Sequence, residues 1–318
     1  MNQHLRTRAA TDADAVQLCT FLNDCSLAHQ GIARYSPDDV IARLHQMDAD
    51  PQLDSFVVSV ADAIVGFANV WRDGEEIKFF ARTHPDARGR GVGALLVELC
   101  DGRAGELLPG GRWTTTTWAA DIDGPPLLSE HGYRDVRHYL RMEIDGGLVG
   151  DDGPRWPQDL GCVPLADRPD LGPALYDAWA AAFAGEWGSY TATEEAFWRE
   201  RRDDKRESAY PFDQALWLLA CNGDEVIGFC LCELSTVEAG AVGRVAEIGV
   251  IPARRGEGLG AVLLRQGFHE LRRRGAARIV LDVDAENVTT AIRLYTSAGM
   301  TPQPAFTVWE KTHAATVR

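Results

Sequence analysis

A chain of 318 residues, 45% hydrophobic and 25% charged, is too long for one small domain and too apolar to remain disordered. Its formal net charge of −15 disfavours nucleic acid and anionic lipid as partners and suits a cationic one, such as an amine. No apolar run approaches the ~20 residues of a membrane span. The seven cysteines are scattered without a CxxC pair, which argues against zinc or a complete disulfide framework and predicts reduced thiols in a cytoplasmic protein.

The predicted elements follow one plan, written twice. In the first half a short strand over Leu5–Arg8 leads through Asp12 into an Ala/Leu helix. The runs Phe56–Val60 and Ile64–Phe67 flank Asp62 as a hairpin. A strand over Ile77–Ala81 then enters His84-Pro85-Asp86-Ala87-Arg88-Gly89-Arg90-Gly91-Val92-Gly93, followed by the apolar stripe of a helix. Strand Trp113–Trp118 and the turn Glu130-His131-Gly132-Tyr133 close the half. The Gly/Pro/Asp-rich stretch Asp145–Pro157 reads as a linker, so the expected domains are 1–145 and 159–318, with 146–158 between them.

The second half repeats this order. Cys162–Leu165 forms a strand, a helix starts near Leu171, and Leu216–Ala220 and Val226–Leu231 flank the turn Asn222-Gly223-Asp224. Strand Val245–Ile251 enters Pro252-Ala253-Arg254-Arg255-Gly256-Glu257-Gly258-Leu259-Gly260. A helix is predicted from Leu259 to Arg273, stopped by Gly275, with strand Arg278–Val283 and the turn Ser297-Ala298-Gly299-Met300 after it. The offset of 167 residues between Arg88 and Arg255 marks a duplicated domain rather than a solenoid unit.

The chemistry centres on the glycine-rich junctions. Glycines let the backbone turn sharply and approach a ligand without Cβ clashes. The outward amides at a helix N-terminus form a nest for a pyrophosphate. The spacing is neither the dinucleotide fingerprint nor a Walker loop. A tight turn explains a single instance; two instances at matching junctions favour a ligand cradle.

The pattern Arg-x-x-Gly-x-Gly (Arg88, Gly91, Gly93; Arg255, Gly258, Gly260) resembles the acyl-CoA pyrophosphate loop of the GNAT superfamily of N-acetyltransferases. Ile279–Asn287 resembles the family's fifth strand with its trailing Asn, and Ala291–Met300 resembles its A-x-x-L-Y-x-x-x-G helix and turn. The tandem layout is similar to the mycothiol synthase branch of the family. The resemblance implies an α/β fold: two tandem GNAT-like domains, each a mixed, splayed sheet flanked by helices. It implies acetyl-CoA as donor, no metal, and a small-molecule amine as acceptor. The pantetheine would meet the backbone near Val250. The pyrophosphate would meet Arg255, Gly256, Glu257, Gly258, Leu259 and Gly260, with Asn287 near the CoA arm. In the first half Arg88, Gly89, Arg90, Gly91, Val92 and Gly93 would form a like cradle.

Acyl transfer to an amine needs a base for the ammonium, a donor for the oxyanion and an acid for the leaving thiolate. Tyr295 matches the family's acid position, and a phenol is protonated at neutral pH. Glu247 and Asp282, on the strands either side of the expected wedge, are the candidate bases, with Glu233 and Asp284 as outer candidates. Arg244 departs from relatives that carry a base Glu at that spacing. Glu186, Trp187 and Tyr190, in the aromatic stretch Phe183–Tyr190, are candidates for gripping an amine. The first half lacks the acid: aligning Gly132 with Gly299 puts Leu128 at the place of Tyr295, and Pro125-Pro126 is expected to interrupt the helix before the turn. The reading is therefore an N-acetyltransferase with a non-catalytic first copy. Its acceptor is a small-molecule primary amine, a cysteinyl aminosugar among the options. A non-enzymatic acyl-CoA sensor and an aminoacyl-tRNA-dependent peptidyltransferase are the competing readings.

Overall fold

The computed structural model describes residues 5–31, 33–46, 49–184, 193–203, 210–235, 241–286 and 291–312. The chain divides into two compact units, Met1–Tyr139 with Pro304–Arg318, and Leu140–Gln303.

The first unit contains β1 (Arg6–Arg8), α1 (Ala15–Gln30), α2 (Pro37–Leu44), α3 (Pro51–Asp54), β2 (Ser55–Val60), β3 (Ala63–Asp73) and β4 (Glu76–Thr83). It continues through α4 (Val92–Leu107), β5 (Arg112–Trp118), α5 (Gly124–Glu130) and the start of β6 (Arg134–Asp145). Ser36 and Asp39 form a capping box at α2 with Pro37 in the first turn, and Gly31 ends α1 in the left-handed region. Strand order is β1-β2-β3-β4-β5, continued by the chain's last strand, β12 (Thr301–Thr312). Strands β1 to β4 pair antiparallel; β4 and β5 pair in parallel over Glu76–Lys78 and Arg112–Thr114.

Period-two alternation splits the apolar residues of this sheet between two cores. Val57, Phe67 and Phe80 pack with Leu18, Phe21 and Leu22 of α1. Val58, Ala68 and Phe79 pack with Val92, Leu96 and Val97 of α4. Each buried Val, Leu or Phe side chain among these contributes roughly 1.5–3 kcal/mol. Pro125 and Pro126 do not interrupt α5: they occupy its first turn, where a missing amide hydrogen costs nothing.

The second unit repeats the plan with β7 (Gly161–Pro164), α6 (Gly172–Phe183), α7 (Glu194–Trp198), β8 (Trp217–Asn222) and β9 (Glu225–Leu234). After these come β10 (Val242–Val250), α8 (Leu259–Arg273), β11 (Arg278–Asp284) and α9 (Ala291–Ser297). Strand order is β7-β8-β9-β10-β11, with β6 beyond β11. Strands β10 and β11 pair in parallel over Val242–Arg244 and Arg278–Val280. Leu263, Leu264, Phe268 and Leu271 of α8 cover one face, and Leu175, Ala178 and Trp179 of α6 the other. Each unit is thus a mixed sheet between helical layers, the expected class.

Two segments sit away from a simple cut at the Gly/Pro-rich stretch. Residues 146–158, expected as a linker, pack on the second unit: Gly146 N donates to Ala277 O (2.9 Å), Val149 is buried, and Trp156 Nε1 donates to Gln266 Oε1 (3.2 Å). The end of β12 completes the first unit, pairing Phe306–Thr312 with Arg112–Trp118. It is held by Trp309 Nε1 donating to Thr117 Oγ1 (2.9 Å) and Lys311 Nζ on Asp101 (2.6 Å).

Candidate active site

In the second unit the register between β9 and β10 shifts between Val245 and Glu247, so Ala246 is an extra residue. A bulge turns over the faces of everything beyond it. Val245 packs in the core beside α8, whereas Glu247 turns to the α6 side, where it meets Trp179. Beyond Arg244 and Val280 no ladder joins β10 to β11 among the described residues, and the glycine loop follows at the end of β10.

The loop has the conformation the glycines permit. Gly256 and Gly258 have φ of +84° and +79°, and Gly258 caps α8 from the left-handed region. A Cβ on Gly260 would lie 3.4 Å from Leu294 of α9, so a small residue there lets α9, which carries Tyr295, lie against the start of α8. Arg255 does not project freely: its Nε donates to Val250 O (3.2 Å) and its Nη2 to Ala182 O (2.7 Å), bracing the end of β10 against the last turn of α6. Glu257 is paired with Arg254 (2.8 Å). Leu259 is buried in the core, and Val250 packs against it.

Tyr295 is 8% exposed on α9, within the core formed by α8 and β11. Glu247 accepts from Trp179 Nε1 at Oε2 (2.6 Å) and from Arg201 Nε and Nη2 at Oε1 (3.1 and 2.8 Å). Arg201 also stacks on the rings of Trp179 and Phe197. Asp282 is gripped bidentately by Arg141 (2.9 and 3.0 Å). Arg244 Nη1 donates to Glu233 (3.3 Å), its cross-strand neighbour. Its pKa is raised against the cost of burial by the carboxylates of Glu233, Asp282 and Glu247. Both candidate bases are therefore ion-paired, to Arg201 and Arg141, residues the sequence reading did not single out. Only their cationic type was visible, because each pairing spans a long stretch of chain. Asp284 accepts from Glu286 N (2.8 Å) in a local turn. Asn287, Glu186, Trp187 and Tyr190 lie outside the described residues.

The first unit keeps the wedge and the loop. Gly89 and Gly91 have φ of +68° and +79°, and Gly91 caps α4 with the same backbone angles as Gly258 caps α8. Beyond Lys78 and Thr114 the two parallel strands part, and Thr115 Oγ1 donates to Phe79 O across the fork (2.8 Å). A cavity of about 300 Å3 occupies the opening. It is lined by Arg88, Gly91 and Gly93 at the loop, by Thr83 and Thr116 on the strands, and by Arg82. Val92 is buried under the loop, and Arg90 is exposed. Arg88 Nη2 donates to His29 Nε2 (2.5 Å), whose Nδ1 faces Cys25 O (2.8 Å), so this contact selects the Nδ1–H tautomer. Leu128, at the place of Tyr295, is buried in the cavity wall. Among the described residues no cluster of His, Cys, Asp or Glu has the make-up of a metal site, and no helix is long and apolar enough to cross a membrane.

Residues 173–300 match the Acetyltransferase (GNAT) family. The chain is 30% identical over 304 residues to a mycothiol acetyltransferase of Sanguibacter keddieii, covering 92% of this chain and 90% of that one. A GCN5-related N-acetyltransferase from Sphaerobacter thermophilus superposes with a TM-score of 0.72 at 26% identity, covering 98% and 96% of the two chains. A tandem GNAT protein from the clavulanic acid biosynthesis pathway shares the fold, with a TM-score of 0.77 at 16% identity over 98% and 99%. With a mixed sheet and a glycine-capped helix in each unit and this similarity along nearly its whole length, the chain belongs to the GNAT family of acetyltransferases.

Proposed function

We propose that the protein transfers the acetyl group of acetyl-CoA to a primary amine of a small molecule, and that the second unit performs the chemistry. The observation that carries this reading is the combination, in one unit, of a parting parallel strand pair, a left-handed glycine cap at its end and a buried tyrosine on the helix packed beside that cap. The amides of residues 256–260 bind the pyrophosphate, and Arg255 braces the loop rather than touching phosphate. Glu247 takes up the ammonium proton, directly or through water. The amine then attacks the thioester carbon, and the oxyanion is held by the amide of Val250. As the C–S bond breaks, the thiolate receives a proton from the Tyr295 phenol, which regains one from the proton released by the amine. Asp282, with both oxygens on Arg141, positions β11 rather than acting as the base.

The acceptor class is narrowed by the relative from Sanguibacter keddieii, which is named for mycothiol acetylation. A cysteinyl aminosugar amine is the first acceptor to test. Arg244 makes a direct copy of that chemistry less simple, because it stands where some relatives carry a base Glu. The test is CoA-thiol release from acetyl-CoA against aminosugars, cysteinyl aminosugars, polyamines, aminoglycosides and peptides. One amine class turned over by wild type, with the rate collapsing in Tyr295→Phe, supports the reading. Turnover that survives Tyr295→Phe but is lost in Gly91→Asp would move the chemistry to the first unit.

A further inference from the structure

The cavity of the first unit has charge at both ends. The loop end carries the amides and Arg88 described above, together with its carboxylates. Asp123 lies 3.6 Å from Arg88, and Asp121 accepts from the backbone of Asp123 and Gly124 and lies 4.0 Å from His29. The far end is different. Arg82 is sandwiched between the rings of Phe80 (4.1 Å) and Trp118 (4.2 Å), and Arg43 also lies 4.1 Å from the Phe80 ring. Among the described residues neither guanidinium has a carboxylate within ion-pair distance, and the Nε of each is shut from solvent without a hydrogen-bond partner. Burial pushes the pKa of both below the usual arginine value; Arg43 depresses Arg82 further, and the more distant Tyr35, Asp39 (on Arg43) and Asp121 (on Arg82) offset this only in part. Two guanidiniums on one ring, neither in contact with a carboxylate among the described residues, are costly to bury unless an anion answers them.

The second unit shows what is missing. Glu247 stands eight residues before Arg255 and holds Arg201; Phe80 stands eight residues before Arg88 and holds no cation by charge. Arg82 lines the cavity on the α1 side of the sheet, opposite the α4 side where the loop lies. A ligand threaded through the parted strands therefore meets amides first and a guanidinium last.

We propose that this cavity binds a coenzyme A thioester of a short dicarboxylic acid, with its pyrophosphate on the amides of residues 89–93 and its terminal carboxylate on Arg82. This rests on reading the glycine loops as pyrophosphate cradles. The thioester is held and not turned over, because Leu128 and Phe80 stand where the second unit has Tyr295 and Glu247. The first unit then reports a second metabolite class to the same chain.

The experiment is calorimetric titration of the full-length Gly258→Asp protein, in which the second loop is disabled, with CoA, acetyl-CoA and succinyl-CoA. Succinyl-CoA is expected to bind on the order of tenfold to a hundredfold more tightly than acetyl-CoA, the scale of one charge-assisted hydrogen bond. Arg82→Gln should abolish the preference while both thioesters still bind, and Arg82→Lys should keep part of it. Equal affinities, a preference that survives Arg82→Gln, or no binding of any CoA species overturns the proposal. Because the first comparison needs no change at Arg82, a variant that fails to fold does not shield it. Failure of the amine-acetylation reading shows separately, as absence of thiol release from wild type.

Discussion

Replacing Glu247 by Gln separates its observed role as an ion-pair partner from its proposed role as a base. The carboxylate takes three hydrogens, one from Trp179 and two from Arg201. A glutamine oxygen satisfies one of these groups, and its amide then presents hydrogen to the other donor. The loss is one charge-assisted hydrogen bond, about 1.5–3 kcal/mol, with Arg201 left to the longer contact with Glu200 (3.4 Å) as its only remaining carboxylate partner among the described residues. Because the Glu247 side chain is 25% exposed, solvent screening brings this to about 2 kcal/mol. For a unit of this size that lowers the unfolding midpoint by about 4–8 °C. Arg201→Met should cost a similar amount, and the double variant less than the sum by about 1–2 kcal/mol. Turnover should divide the pair: Glu247→Gln lowers kcat by roughly 10²–10⁴-fold, and Arg201→Met by less than about tenfold. Thermal unfolding and thiol release on the four proteins make the assay. A destabilised Glu247→Gln protein that turns over within about threefold of wild type would show the carboxylate to be structural and refute the base assignment. Strict additivity would refute the ion pair.

Tyr295→Phe keeps the buried ring and removes only the hydroxyl, so kcat should fall roughly 10²–10⁴-fold while the KM for acetyl-CoA changes by less than about twofold; a fall below about tenfold refutes the acid. Gly258→Ala forces a Cβ into φ +79° at the cap of α8, and should cost about 1–2 kcal/mol by urea unfolding and raise the KM for acetyl-CoA; unchanged values refute the strained-cap account. Hydrogen bonding to Arg8 holds the Asp14 carboxyl down at about 2, so its contribution is present above its ordinary range near 3.8 and fades as pH falls through 2. Since Arg8 is 49% exposed, Arg8→Ala should cost only about 1 kcal/mol at pH 7, and the difference from wild type should vanish by about pH 2. Burial pushes the Cys25 and Cys162 thiols up to about 12, so both should resist a disulfide reagent at pH 8 until the protein is unfolded, as mass spectrometry of the labelled sites would show.

Much of this was legible in the chain, and the reasons are local. The helix predicted from Leu259 to Arg273 has those bounds in the structure, because Gly258 and Gly275 punctuate it on both sides. Strand positions were readable from alternation and hairpin turns, although β10 begins three residues earlier than Val245, where pairing with β11 adds order that propensity does not supply. Pro125-Pro126 was misread as a break because two prolines look alike whether they end a helix or start one. What lay out of reach was long-range. Nothing near Glu247 announces Arg201, and the bulge that points the carboxylate at α6 depends on how β9 lies beside β10. The sequence also suggested that Arg255 serves phosphate, since it leads the glycine loop; its use as a brace becomes visible only when Val250 and Ala182 come within its reach.

The placement of β12 sets a timetable for synthesis. The first unit's segment Arg112–Trp118 waits for a partner supplied by residues 306–312, so that strand's free edge persists until the ribosome has made the whole of the second unit. Trp309 and Lys311 arrive last, to cover Thr117 and neutralise Asp101. An interim sheet with one bare edge is open to wrong pairing, and nascent chains of this protein should lean on holdase chaperones more than a simple bead-on-a-string duplication would. The same wiring means that the first copy cannot be cut out as one uninterrupted stretch of gene, whereas the second, Leu140–Gln303, is continuous. Any successful excision of the first unit must graft the chain's final strand back onto it.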